Sequence, residues 1–144
     1  MSPSHNELSP EIREFIEKQP LFFVGTAGQE SWVNISPKGL DSLRILSPQR
    51  IVWVNRGGAG NETAAHINEM PRMTLMFCAF AGEPRIVRVY GAARMLGPED
   101  REWAETLAHF AGFEGARNIF DLEVAMVRTA CGTTVPRLGV GNEN

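Results

Sequence analysis

Between Leu21 and Leu96 the chain is divided into six short stretches, "LFFVGTA", "SWVNIS", "SLRIL", "RIVWVN", "MTLMFCAF" and "RIVRVYGAARML", separated by clusters of Gly, Pro, Ser or Asn. They are rich in β-branched and aromatic residues, which suit a pleated, half-buried strand. Turns such as "AGQE", "SPQR" and "AGEP" are far shorter than the dozen-residue crossover that a parallel neighbour needs, so consecutive strands pair antiparallel. A seventh strand, roughly "LEVAMVRT", follows. So many strands in so few residues favour a small barrel, whose closure removes exposed edges. The expected fold is therefore mainly β: a six- to seven-stranded antiparallel barrel with a few helices. Gly91, inside the long strand from Arg85 to Leu96, marks a bulge or corner.

Helices punctuate this pattern. Ser9, then Pro10, with Ile12, Phe15 and Ile16 on one face, predicts a short amphipathic helix that stops before Pro20. Pro98, Glu99 and Asp100 open another, with Trp103, Leu107 and Phe110 at helical spacing before Gly112. The tail "CGTTVPRLGVGNEN" has no periodicity and is expected to be loop or partly disordered. A length of 144 residues with 43% hydrophobic content supports one core. The layout is a single domain, with a helical segment over 1–19, the barrel over 20–96, a helix and last strand over 97–130 and an irregular tail over 131–144.

Fourteen basic against seventeen acidic residues give a net charge of -3, so no overall field recruits nucleic acid or an anionic membrane. No apolar stretch reaches the roughly 20 residues that span a bilayer, and "MSPSHNELSP" lacks the segments of a secretory signal. A cytoplasmic location, with neither a nucleic-acid nor a membrane partner, is expected. Cys78 and Cys131 lack the paired spacing of a zinc site, and a disulfide would be unusual in that compartment. No metal is expected.

The stretch "VWVNRGGAGNETAAHI" sets three glycines between a strand and a helix, an arrangement used to hold phosphate. The nucleoside-triphosphate loop needs Lys and then Ser or Thr after its last glycine, whereas Asn61 and Glu62 follow Gly60. The dinucleotide fingerprint needs a parallel strand-helix-strand unit, which antiparallel neighbours do not form. A third scheme has Asn61 capping a helix from Glu62 to Met70. The free N–H groups of Thr63 and Ala64, with the Thr63 hydroxyl, then present a site for one anion. A plain glycine turn into a capped helix explains the same residues. Glu62 in the first turn favours that plain reading, since it would repel a phosphate unless it pointed away.

Strand alternation adds further candidates. In "WVNISPK", Val33 and Ile35 face one way and Trp32, Asn34 and Ser36 the other, with Lys38 beyond. In "RIVRVYG", Val87 and Val89 face inward, leaving Ile86, Arg88 and Tyr90 outward. "MTLMFCAF" is apolar at almost every position, so both faces need cover: the barrel interior on one side, and a helix or second subunit on the other. A dimer is expected.

Together "VNISPKGLDSLRIL", "VWVNRGGAGNETAAHINE", "RMTLMFCAF" and "RIVRVYG" resemble the pyridoxamine 5'-phosphate oxidase-like family of split-barrel flavoproteins. The resemblance implies flavin mononucleotide (FMN) bound at the interface of a homodimer, and oxidoreductase chemistry by hydride transfer at the flavin on an unknown small molecule. It gives Asn61 and Thr63, aided by Lys38 or Arg56, the phosphate. It lays Asn34, Ser36 and Lys38 along the flavin and brings the backbone through Val54 and Asn55 to the ring. "RIVRVYG" matches the family's Arg-x-Val-Arg-x-x-Gly strand and contributes Arg85 and Arg88, the latter from the partner subunit. True pyridoxamine phosphate oxidases carry a C-terminal Trp and Arg-x-His; "VPRLGVGNEN" has neither Trp nor His, so vitamer oxidation is not implied. A non-catalytic module binding flavin, deazaflavin or haem on the same barrel is the alternative. Trp53 and Trp103 would line a substrate face or the core, and His66 would stand on the phosphate helix.

Overall fold

The computed structural model describes residues 3–56 and 61–139. Helix α1 (Pro10–Glu17) starts where the Ser9 hydroxyl accepts the Ile12 N–H at 3.1 Å, and it buries Ile12 and Ile16 in the core. The strands are β1 (Ser4–His5), β2 (Leu21–Thr26), β3 (Asn34–Gly39), β4 (Leu43–Ser47), β5 (Arg50–Arg56), β6 (Arg72–Cys78), β7 (Arg85–Leu96) and β8 (Ala116–Cys131). Helices α2 (Asn61–Glu69) and α3 (Trp103–Leu107) complete the set, α3 running on into a 3₁₀ turn over Ala108–Phe110.

Every pairing is antiparallel, in the order β3-β2-β6-β7-β8-β5-β4, with β1 added to β8. The first and last strands of that order, β3 and β4, are joined by one 3₁₀ turn, Leu40–Ser42. The sheet therefore curls until its ends lie a turn apart. Among the described residues β3 and β4 do not pair, so the barrel is split and the expected loss of edges is not reached. Pro37 fits an edge: it has no N–H to offer a further strand.

The inward faces fill the barrel. Trp53 and Phe120 stack with centroids 4.6 Å apart, Phe22 meets both Trp53 and Phe77, and the Trp53 indole N–H donates to Met73 Sδ at 3.3 Å. Val87 and Val89 are fully buried among them, as alternation predicts. A second cluster lies on the other face of β5 and β8, where Val52, Val54 and Ile119 meet Phe110, with Trp103 packed against it. Both Trp53 and Trp103 are thus packing residues.

Several sequence boundaries shift. The last strand begins at Ala116, not near Leu122, because β5 pairs with it from Ala116 to Glu123 and fully buries Ile119 and Phe120. The helix expected from Pro98 begins at Trp103: the Asp100 carboxylate accepts the Gly97 N–H at 2.6 Å and holds the preceding residues as a turn. Strand β1 lies within the segment read as helical. Helix α2 runs one residue earlier than expected, and Gly57 to Gly60, with the Asn61 side chain and its capping role, lie outside the described residues. At Gly91 the β7–β8 register slips, passing from Tyr90↔Met126 to Gly91↔Val124, which is the expected bulge. Among the described residues no helix is long and apolar enough to cross a membrane.

Candidate functional site

Edge strand β3 carries its polar residues inward and its apolar ones outward. Asn34, Ser36 and Lys38 are half-buried, while Val33 and Ile35 are 67% and 70% exposed and Trp32, just before them, is 93% exposed. This reverses what a solitary domain does with such residues.

The inward face meets α2. Ala64 and Ile67 pack α2 onto the core, which fully buries Thr63, and the Asn34 amide donates to the Thr63 hydroxyl across 3.4 Å. Ser36 Oγ is buried without a hydrogen-bond partner. Such an atom costs stability until something bonds it. Lys38 Nζ stands 5.5 Å from the centre of the Trp53 ring, and burial lowers its pKa from the ordinary ammonium value. No ion pair involves Lys38 or Arg56 among the described residues.

From Lys38 a cleft of about 260 Å³ opens past Asp41, Val54, Asn55 and Arg56 to Phe113. Asn55 is buried, whereas Arg56 is exposed and lays its guanidinium 4.2 Å from the Phe113 ring centre. One chain thus brings together Asn34, Ser36, Lys38 and Thr63, and continues from Lys38 to Val54, Asn55 and Arg56. The two remaining candidates lie apart. Arg85 pairs with Glu11 at 3.0 Å and Glu83 at 3.2 Å, stacks on Phe15 and lines a separate groove of about 510 Å³ beside α1. Its hydrogen bond to Glu11 is the main cause holding its pKa above the usual guanidinium value. Arg88 lies beside Met76 on the outer face of the sheet, opposite the buried Val87 and Val89.

His66 has more structure around it than its sequence context suggests. Its Nδ1 is 3.0 Å from Thr26 Oγ1 and its Nε2 3.0 Å from Ser31 Oγ. Ser31 also accepts the Gly28 N–H, and Glu69 accepts that of Gln29, so α2 clamps the β2–β3 connection. Neither this clamp nor Phe113 and Asp41 was foreseen. Their partners come from separate loops, and no spacing within one segment signals them. Among the described residues no three His, Cys, Asp or Glu side chains are grouped to hold a metal ion.

An open, curled antiparallel sheet whose polar edge strand faces α2, beside a cleft lined by Lys38 and Arg56, defines a split-barrel protein. Residues 8–131 match the family model described as pyridoxamine 5'-phosphate oxidase, and the chain belongs to that family. A curated relative, the pyridoxamine 5'-phosphate oxidase family protein ustO of Aspergillus flavus, is 35% identical over 139 residues, covering 93% of this chain and 56% of its own length. The chain therefore spans little more than half of that relative.

Solved structures share the fold. A putative pyridoxamine 5'-phosphate oxidase of Lactobacillus delbrueckii superposes with a TM-score of 0.70 at 19% identity, covering 88% of this chain and 97% of that one. An FMN-binding protein of Syntrophomonas wolfei gives 0.60 at 15%, covering 82% and 87%. The haem storage protein HutZ of Vibrio cholerae gives 0.62 at 13%, covering 87% and 96%.

Proposed function

We propose that the chain binds FMN as a cytoplasmic homodimer and acts as a flavin-dependent oxidoreductase on a small molecule. The observation that carries this reading is the inward polar face of β3. Ser36 Oγ lies buried and unbonded between Asn34, which reaches the buried Thr63 hydroxyl, and Lys38, a desolvated cation. An anion with hydrogen-bonding groups completes such a set. Family membership and the FMN-binding structural neighbour support flavin as that group.

Bound flavin supplies the redox chemistry, taking or giving hydride at its ring. The chain binds and orients it. The Thr63 hydroxyl, Asn61 and the N–H groups of the first turn of α2 hold the phosphate, with Lys38 or Arg56 neutralising it. Ser36, Asn34 and the backbone of Val54 and Asn55 lie along the ring. Arg88 faces away from this site within its own chain, so it serves the partner's flavin across the dimer interface.

A visible spectrum and an FMN titration of the purified protein test this reading. Thr63→Ala should weaken FMN binding about five- to tenfold, the effect of a lost hydrogen bond worth about 1–1.4 kcal/mol. A colourless protein that takes up no FMN would overturn the reading, and unchanged affinity in Thr63→Ala would move the phosphate elsewhere. The likeness to HutZ favours a second reading, a non-catalytic module for haem or for flavin. His66 is not positioned as an iron ligand, because both its ring nitrogens are already hydrogen-bonded. Haem titration with a red-shifted Soret band, and no FMN uptake, would favour it. A flavin that neither NAD(P)H nor candidate substrates reduce would favour the non-catalytic form.

A further inference from the structure

The connection from the 3₁₀ turn Ala108–Phe110 to β8 is exposed at Ala111, Gly112, Glu114 and Gly115, and half-buried at Phe113. Gly112 and Gly115 both take positive φ, 85° and 79°, which side chains rarely adopt. The Phe113 N–H donates to the Phe110 carbonyl at 2.9 Å. These features fold the loop back so that Phe113 sets its edge against Phe110, with centroids 6.3 Å apart, and lies under the Arg56 guanidinium at 4.2 Å.

Packing on the second core explains why Phe113 is half-buried. It does not explain why its ring carries an arginine that has no ion-pair partner among the described residues and lines the same cleft as Lys38 and Asn55. A guanidinium held over an aromatic ring is a positioned, positively charged platform. In the proposed site Lys38 and the start of α2 already serve the phosphate, which leaves this platform for the flat conjugated ring.

Resting on the flavin reading, we propose that Phe113 is a positioning residue of the cofactor cleft: it holds Arg56 as a flat wall for the ring of the bound flavin. Arg56 is then a ring contact and not a phosphate contact. Phe113 sets flavin affinity through Arg56 and independently of Thr63.

FMN titrations of Phe113→Leu, Arg56→Met, Thr63→Ala and two double variants test this. Leu keeps the apolar packing without the aromatic face, so the thermal midpoint should hold while affinity falls about threefold to thirtyfold. Arg56→Met should lose a similar factor. Combining Phe113→Leu with Arg56→Met should cost no more than the larger single loss, because both remove one wall. Combining Phe113→Leu with Thr63→Ala should multiply the losses, as independent sites do. Phe113→Tyr should retain wild-type affinity. Unchanged affinity in Phe113→Leu, or multiplied losses in its combination with Arg56→Met, overturns the proposal and leaves the flavin reading standing. Wild-type protein that takes up no FMN overturns both.

Discussion

Lys38 joins two opposed demands in one side chain. Its ammonium lies over Trp53, and burial pushes its pKa below the ordinary value of 10.5. A desolvated cation that forms no ion pair among the described residues weakens the fold, and the same cation strengthens the grip on an anion. The unfolded chain keeps the ordinary pKa. Between the lowered folded value and 10.5 the unfolded state therefore binds more protons than the native state, and stability rises with pH across that window. Lys38→Met should accordingly raise the melting temperature of the flavin-free protein at neutral pH and reduce its FMN affinity. The stability gap between variant and wild type should narrow as pH climbs through the window. Thermal melts of both proteins in matched buffers between pH 7 and pH 10.5 read this directly, and comparing them cancels groups such as Cys78 that titrate in both. A variant that melts lower than wild type at neutral pH would show that the charge stabilises the fold.

The two longest strands, β7 and β8, meet at Gly91. A Cβ there would stand 2.0 Å from the Glu123 carbonyl oxygen and 3.1 Å from Leu122 Cδ1, so backbone must move at the middle of the ladder. Gly91→Ala should cost about 2–4 kcal/mol, at the upper end of what overpacking does. Urea unfolding should show a lower midpoint at unchanged m-value, and a loss below about 0.5 kcal/mol would mean that the bulge absorbs a methyl group. Gly91 was legible because a glycine amid β-branched residues has few other uses. Val87 and Val89 were legible because alternation depends on one strand alone. The first six residues of β8 were not. Arg117 and Asn118 lack the β-branched and aromatic character of a strand, and the burial of Phe120 is imposed by Trp53, its partner on a strand more than sixty residues earlier. Asp100 misled in a different way: its side chain closes a turn with Gly97 instead of starting a helix.

For the whole molecule, the grouping of Asn34, Ser36 and Lys38 on one face of β3 followed from period-two reasoning, whereas the inward direction of that face, the part of Phe113 and Asp41, and the hydrogen bonds of His66 depend on segments distant in sequence folding together. The outward half bears on assembly. Val33 and Ile35 are exposed beside Thr74 and Tyr90, around a hollow of about 390 Å³. Phe23, Met76 and Arg88 continue that face across neighbouring strands, each pair in register. An apolar surface of this kind on a water-facing sheet signals a partner. The proposed homodimer uses it, and this alone would let Arg88 reach a cofactor, because its own chain's cleft lies on the other side of the sheet. Ile35→Lys tests the arrangement, since it alters the outer face while Asn34, Ser36 and Lys38 keep their inward orientation. Sedimentation should show a monomer, and FMN affinity should fall although every side chain of the inward cleft is intact. A monomeric variant with undiminished affinity would mean that one chain completes the site. A variant that remains dimeric and binds FMN normally would place the interface elsewhere and return Arg88 to the role of a surface charge.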